Sequence, residues 1–479
     1  MVFARLCDRG LGMVSTVILA RLLLPGDFGI VAMAMSVVVL LELWRAFGLD
    51  IVLIQHPAPQ RIHYDTAFTI NFIFSLGVSV VLTALSVPTA NFFSEPKLIP
   101  VLLVLAIGPV IDGLRNIGIL EFRKNLQFKR EFTYLTLARL IRFVPTIFLA
   151  FTLRTHWALV IGILIGKCTN VIVSYLMHSF RPRLSLVAWR ELYDFSKWIF
   201  VKNIIQLLRL KSADFVIGRV AGLDALGIFN LSGEIANLPS SEIAAPLNSV
   251  IFPGYAKHAS DQDVLRRGLL EVFAMIVLVV LPLGVGLMAT AEYVVLAMLG
   301  NRWMAAVPVV VVLTIRGITN AIGSNTGSMF LAMGRPKTVS MIASLELGVL
   351  LPTLLIGVYL SGPVGAAWAY VASSSVVVPL SYFLLMRELN VGIKEIVSRV
   401  WRPVVAVTLM VLAVSLVAQT LPISDQSIRA LMQLIVLSSI GATIYVSVVL
   451  LLWFVCRKPD GAERRLLDLI FGWVRRATS

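Results

Sequence analysis

The sequence predicts an all-α polytopic membrane protein: about 14 transmembrane helices, as two six-helix repeats plus two C-terminal helices, with both termini cytoplasmic (N-in/C-in). Three observations carry this. Apolar residues make up 58% of the 479 residues and charged residues only 14%. Counted as soluble domains usually are, with Gly included and Tyr left out, the apolar share is roughly 63% against about 45–50%, and the charged share is near half the usual value of about 25%. The apolar residues fall in runs of about 20, the length a helix needs to cross the hydrocarbon layer. The basic residues between the runs alternate in density from one link to the next. A soluble globular enzyme and a disordered chain are excluded. The net charge of +15 would suit a nucleic-acid binder only on water-exposed faces. Here long apolar runs interrupt it.

In order, spans are expected at 2–23, 29–50, 66–92, 98–120, 133–153, 156–178, 197–220, 225–252, 268–290, 304–333, 338–360, 363–386, 402–420 and 430–456. Arg5 and Arg9 precede the first run, no A-x-A site stands at its end, and Arg21 ends it, so it reads as a retained span rather than a leader. Fourteen spans use about 280 residues, and no link is long enough for a folded domain. The longest links are 179–196, 253–267 and 387–401, with a tail from 457. Pro239 and Pro246 fall inside the eighth span and Pro282 inside the ninth, where proline kinks a helix. Cys7, Cys168 and Cys456 are far apart and read as small buried apolar residues, and the five His form no metal-ligand cluster.

Orientation follows from the Lys/Arg bias. With the N-terminus inside, only Arg21, Lys97, Arg154, Arg219, Arg302 and Arg429 fall in outer links, while clusters such as Arg123–Arg130, Arg181–Lys197, Arg266–Arg267, Arg335–Lys337 and Arg457–Lys458 fall inside. The alternation requires an even number of spans.

The stretch Ala20–Ile30 (ARLLLPGDFGI) resembles Gly218–Ile228 (GRVAGLDALGI), matching at Arg21/Arg219, Gly29/Gly227 and Ile30/Ile228 at an offset of 198 residues. Pro100–Gly108 resembles Pro308–Arg316 at an offset of 208. Both offsets equal six spans. The expected division is therefore 1–196 and 197–400 for the repeats, 401–456 for the two added helices, and 457–479 for a cytoplasmic tail. Parallel repeats with a site at their interface are a transporter design, in which one bundle rocks against the other.

ILARLLLPGDFGIVAMA after the first helix and RLKSADFVIGRVAGLDALGIFNLSGEIANLP at the seventh and eighth resemble the polysaccharide flippase branch of the multidrug/oligosaccharidyl-lipid/polysaccharide exporter superfamily, over essentially the whole chain. The resemblance implies transport of undecaprenyl-pyrophosphate-linked oligosaccharides across the bacterial inner membrane for lipopolysaccharide, capsule or exopolysaccharide synthesis. It implies no cofactor, and partners that include the phospholipid bilayer, a polysaccharide polymerase and the chain-length machinery. Peptidoglycan-precursor flippases of the same superfamily carry a charged pair midway along the first helix. The corresponding place here reads Ser15, Thr16, Val17, which disfavours lipid II as cargo.

Besides Arg5, Arg9, Arg21, Lys197, Arg219 and Arg402, which are assigned to the flanking links, nine basic residues fall within the expected spans: Arg45, Arg115, Arg139, Arg142, Lys167, Lys202, Arg209, Lys211 and Arg316. Nine facing lipid would cost on the order of 20 kcal/mol on insertion scales, so most must face the bundle interior, a water-filled cavity or an interface. Glu42/Arg45, Asp112/Arg115 and Lys211/Asp214 stand at i,i+3 and read as local ion pairs. Arg142, Lys167, Arg209 and Arg316 lie near mid-bilayer with no opposite charge at i±3 or i±4, and Arg139 shares a helix face with Arg142. Arg139, Arg142, Lys167, Arg209 and Arg316 are the candidate cationic site. A pyrophosphate offers the bidentate geometry a guanidinium fits. Asp112, Asp214, Glu234, Glu242 and Glu346 are candidates for ion coupling or counter-charge.

Glu463–Arg476 sets Leu, Ile, Trp and Val among four Arg and reads as an amphipathic helix on the cytoplasmic leaflet. The competing reading is a small-molecule exporter of the same superfamily, against which the excess of deep cations argues. A membrane glycosyltransferase or polymerase needs positioned acids or bases in an aqueous loop. The outer links are short, and the D-x-D at Asp261–Asp263 is a three-residue match that arises easily by chance. No P-loop is present.

Overall fold

The computed structural model describes residues 2–43, 53, 59–125, 127–189, 207–240, 255, 261–421, 427–457 and 461–464, the side chains of 2–9, 11 and 128 excepted. Arg45, Lys202, Glu242, Pro246 and the tail beyond Arg464 lie outside the described residues.

The described chain is helical. Its helices are α1 (Val2–Leu22), α2 (Pro25–Glu42), α3 (Arg61–Ala84), α4 (Ser86–Phe93), α5 (Leu98–Leu105), α6 (Ile107–Gly113), α7 (Leu120–Lys124), α8 (Phe128–Leu153), α9 (Trp157–Met177), α10 (207–220), α11 (Gly222–Ala236), α12 (Gln262–Ala289), α13 (Ala291–Met298), α14 (Val307–Ala332), α15 (Pro336–Glu388), α16 (Ile393–Thr420) and α17 (Ser427–Val455). Among the described residues nine helices are long and apolar enough to cross a membrane, and ten if the bent pair Leu98–Gly113 and Ile117–Lys124 counts as one span.

Helix starts and breaks follow local chemistry. The sequence pattern starts the second span at residue 29, yet α2 begins at Pro25. Proline suits the first helical position, where no backbone N–H is needed, and the Asp27 carboxylate accepts the Leu24 N–H at 3.0 Å. The expected span 98–120 ends instead at Gly113. There the chain bends by 64°, and Asn116 starts a new turn by accepting the Gly118 N–H at 2.9 Å. As one rod, the 53 residues of α15 would run about 80 Å, far beyond a hydrocarbon core of about 30 Å. Ser361 (φ −142°, ψ 20°) and Gly362 (φ 55°, ψ −130°) break it. Gly362 takes a left-handed φ that L side chains avoid. Across the break, Gly357 and Gly365 pack backbone to backbone, with no room for a Cβ on either. The two halves, 336–360 and 363–388, match two of the expected spans.

Two compact units divide at Gly227/Ile228. In the first, α1 packs on α8, α3 on α6, and α9 on both α6 and α8. In the second, α14 packs on α12 and α15, and α16 on α12 and α17. Outward faces are apolar. On α8 the exposed Leu137, Ile141, Val144, Phe148 and Phe151 recur every three or four residues, a lipid-facing stripe. Cys168 and Cys456 are exposed rather than buried as expected, since a thiol is apolar enough for a lipid-facing surface.

Candidate functional site

At 100° per residue, Arg139 and Arg142 lie on the side of α8 away from that stripe. That side packs on α9 through Gly162 and Gly166, both buried. Small residues one turn apart let two helices approach closely in a membrane. A Cβ at Gly162 would collide with Thr146, and one at Gly166 would meet the Cγ and Nη1 of Arg142 within 3.3 Å. The Arg142 side chain therefore lies across the bare backbone of Gly166. Its carbonyl accepts a hydrogen bond from the Thr146 hydroxyl at 2.9 Å. Arg139 is half-buried.

The next residue on α9, Lys167, is held by two carboxylates. Its ammonium donates to Glu42 Oε1 on α2 at 3.1 Å and to the Asp112 carboxylate on α6. The sequence pairs Glu42 with Arg45 and Asp112 with Arg115 along single helices. The structure joins both acids to a lysine on a third helix; the Glu42–Arg45 pairing falls on Arg45, outside the described residues. Arg115 lies within electrostatic reach of Tyr134, as does Asp112, and the Tyr134 hydroxyl donates to the Asn170 carbonyl at 3.3 Å.

The local pair expected on α10 is present: Lys211 donates to Asp214 at 2.6 Å, and Asp214 is buried. Arg209 is half-buried on the same helix.

In the second unit the Arg316 guanidinium on α14 lies 3.7 Å from the ring centre of Tyr370 on α15. Tyr370 is buried and stacks on Phe229 of α11 with ring centres 6.2 Å apart. One turn along the same two helices, the Thr319 hydroxyl donates to Ser374 at 3.0 Å. Glu234 is exposed and Glu346 half-buried. Among the described residues no group of three or more His, Cys, Asp or Glu could hold a metal ion.

Two features escape a reading of spans and charges. The ring under Arg316 comes from α15 and that ring's stacking neighbour from α11, distant in sequence and inconspicuous among many aromatic residues. The described part of the link after α9 is bound to α3. The Arg183, Ser185 and Ala188 N–H groups donate to Asp65, Thr69 and Thr66 at 2.8, 2.9 and 3.3 Å. The Asn116 amide donates to the His178 and Phe180 carbonyls at 3.2 and 2.8 Å. The signal available was the polar D-T-x-x-T opening of an otherwise apolar span.

The profile of the family described as "Polysaccharide biosynthesis protein" matches residues 18–308. The lipopolysaccharide biosynthesis protein WzxC of Escherichia coli (strain K12) is 24% identical over 405 residues, covering 82% of this chain and 81% of that protein. The succinoglycan biosynthesis transport protein ExoT of Rhizobium meliloti (strain 1021) is 22% identical over 473 residues, covering 96% and 92%. Among solved structures, lipid II flippase MurJ in an inward closed conformation aligns with a TM-score of 0.78 at 14% identity, over 94% of this chain and 98% of that one. At that identity the likeness concerns the fold.

Proposed function

Because this chain belongs to the polysaccharide biosynthesis protein family, we propose that it is a flippase for lipid-linked oligosaccharides, a transporter and not an enzyme. Its cargo is a sugar unit on an undecaprenyl-pyrophosphate carrier, moved from the cytoplasmic to the outer leaflet of the bacterial inner membrane by alternating access. The names of its relatives support this class. One is a lipopolysaccharide biosynthesis protein and one a succinoglycan biosynthesis transport protein, and the structural neighbour is a lipid II flippase.

The finer architecture follows from that reading: fourteen helices, N-in/C-in, as repeats 1–196 and 197–400 with helices over 401–456 added. The observation that carries the chemistry is the placement of guanidinium groups against a helix glycine and an aromatic ring on membrane-length helices, Arg142 exposed and Arg316 half-buried. Arg142 lies across Gly166, and Arg316 over Tyr370. A guanidinium whose chain is seated against a helix backbone or an aromatic ring keeps its fork of donors oriented. A pyrophosphate head group presents the matching pair of acceptors.

We assign Arg139, Arg142, Arg209 and Arg316 to that head group, with Lys167 acting through its carboxylate partners. Asp112, Asp214, Glu234, Glu242 and Glu346 serve as counter-charges or as the seat of ion coupling. The polymerase and chain-length machinery would act on the delivered product. A deletion strain should accumulate lipid-linked oligosaccharide on the inner leaflet with unchanged sensitivity to cationic drugs. Changed drug sensitivity with normal oligosaccharide distribution would favour a small-molecule exporter instead.

A further inference from the structure

The described part of the link after α9 is a non-helical strap against α3, and its two sides differ. Inward, its backbone is tied down. The Arg183 N–H donates to Asp65 Oδ1 at 2.8 Å, that of Ser185 to the Thr69 hydroxyl at 2.9 Å, and that of Ala188 to the Thr66 hydroxyl at 3.3 Å. Outward stand Leu184, Leu186, Val187 and Trp189, which are 72%, 48%, 76% and 48% exposed. Ser185 and Ala188, which alternate with them, are half-buried.

The contact points give the depth of the strap. It moves one turn along α3, from Asp65 to Thr69, and by Ala188 it has returned to Thr66. Thr69 lies about 12 Å along the helix from Arg61, past a head-group layer of roughly 5–8 Å. Farther along, α3 exposes Ile73, Leu76 and Val80, an apolar stripe of membrane-facing type. Followed back by helical spacing, that stripe passes through Thr69 and Thr66. Both are nevertheless buried, as is every residue from His63 to Thr69. The strap therefore covers the polar start of the stripe and continues its apolar surface with Leu184, Leu186 and Val187. Irregular backbone at membrane depth requires protein partners for its polar groups. Asp65, Thr66 and Thr69 provide them for three N–H groups.

We propose that residues 183–188 are a membrane-inserted strap. Leu184, Leu186 and Val187 lie among the acyl chains of the leaflet at the Arg61 end of α3, and Thr66 and Thr69 hold them there. Lipid is the occupant of the outer face because that face is apolar and continuous with the Ile73–Val80 stripe. The exposed Arg181 and Arg183 precede it at head-group level, where long basic side chains snorkel. A segment that the sequence pattern leaves as a link thus belongs to the lipid boundary, and the polar opening of α3 serves as its holder. The inference is independent of what the protein carries.

The test uses the full chain with Cys7, Cys168 and Cys456 replaced by serine, in vesicles of phosphatidylethanolamine and phosphatidylglycerol. A nitroxide is attached at Leu184→Cys, Leu186→Cys or Val187→Cys, and its collisions with oxygen and with a water-soluble nickel chelate are compared. Phe148→Cys on the exposed stripe of α8 and Lys394→Cys in an exposed link give the lipid and water references. The oxygen-to-nickel ratio at all three strap positions should stand several-fold above that at Lys394 and approach that at Phe148. Adding Thr66→Val with Thr69→Val should lower the ratio at Leu186 toward the water reference and leave that at Phe148 unchanged. Ratios at Leu186 and Val187 no higher than at Lys394 overturn the proposal. So does low access to both reagents there, which would mean that protein covers this face, or a ratio at Leu186 that does not fall when both threonines are replaced.

Discussion

Gly29 packs directly on the backbone of Leu223, and the same contact recurs in mirror order between Gly227 and Pro25. A Cβ at Gly29 would overlap the Leu223 carbonyl, and a Cβ at Gly227 would overlap the Pro25 carbonyl. Gly29 and Gly227 are 198 residues apart, and so are Pro25 and Leu223. The offset that aligns the two sequence motifs therefore also maps each contact onto the other. The start of α2 and the start of α11 meet as a pair related by a local pseudo-twofold. Asp27 fixes the first of these turns, accepting the Leu24 N–H at 3.0 Å and the His156 N–H at 2.8 Å.

Gly29→Ala and Gly227→Ala should each destabilise the protein by about 1–3 kcal/mol, because a methyl group must displace backbone and cannot swing aside. Gly26→Ala should cost less, since a Cβ there meets only the Asp224 carboxylate, at 2.8 Å. Gly348→Ala, with nothing within 4 Å, should be neutral or gain up to about 1 kcal/mol from helix propensity. Thermal unfolding in detergent ranks the four. Equal midpoints for Gly29→Ala and Gly348→Ala would show that the contact is not tight.

Arg316 and Tyr370 give a second expectation. Tyr370→Phe keeps the ring face and should retain transport in proportion to its folded amount. Tyr370→Leu removes it and should lose about 0.5–2 kcal/mol of cation–π attraction, with transport falling toward that of Arg316→Ala. Transport by Tyr370→Leu equal to the parent's, with Arg316→Ala inactive, would show that the ring does not orient the guanidinium.

Arg402 on α16 and Glu463 form an ion pair at 2.9 Å with side chains 6% and 5% exposed. Breaking a buried pair leaves an uncompensated charge and costs about 3–5 kcal/mol. Glu463→Ala should therefore lower the midpoint clearly, and truncation before residue 461 should lower it by a similar amount. Arg402→Met with Glu463→Leu should restore much of the loss, because no charge is then stranded. A Glu463→Ala midpoint equal to that of the parent would show that Arg402 finds water or another acceptor.

The sequence made most of the helices legible, because apolar runs of membrane length have few other solutions. It also located the glycines of the repeat. Helix starts were less legible: Pro25 and Asp27 look like a turn until one sees that they open a helix. Ion-pair partners were least legible. Spacing along one helix identified Lys211–Asp214, but Lys167 meets Glu42 and Asp112 only because α2, α6 and α9 converge, and no local pattern encodes that convergence. The same holds for Arg316, whose ring partner Tyr370 is fixed by packing alone.

The head-group assignment can be tested where packing and charge separate. Gly162→Ala and Gly166→Ala both overfill the α8–α9 contact and should lose comparable stability, about 1–3 kcal/mol. Only the second displaces Arg142, since Gly162 faces Thr146. If Arg142 binds the pyrophosphate, Gly166→Ala should reduce export of lipid-linked oligosaccharide to the level of Arg142→Ala, while Gly162→Ala remains active in proportion to its folded amount. Arg209→Ala should lose export as well, with the protein still inserted. Normal export by Arg142→Ala, Arg209→Ala and their double variant would remove the cationic site from the mechanism and leave these arginines to structure.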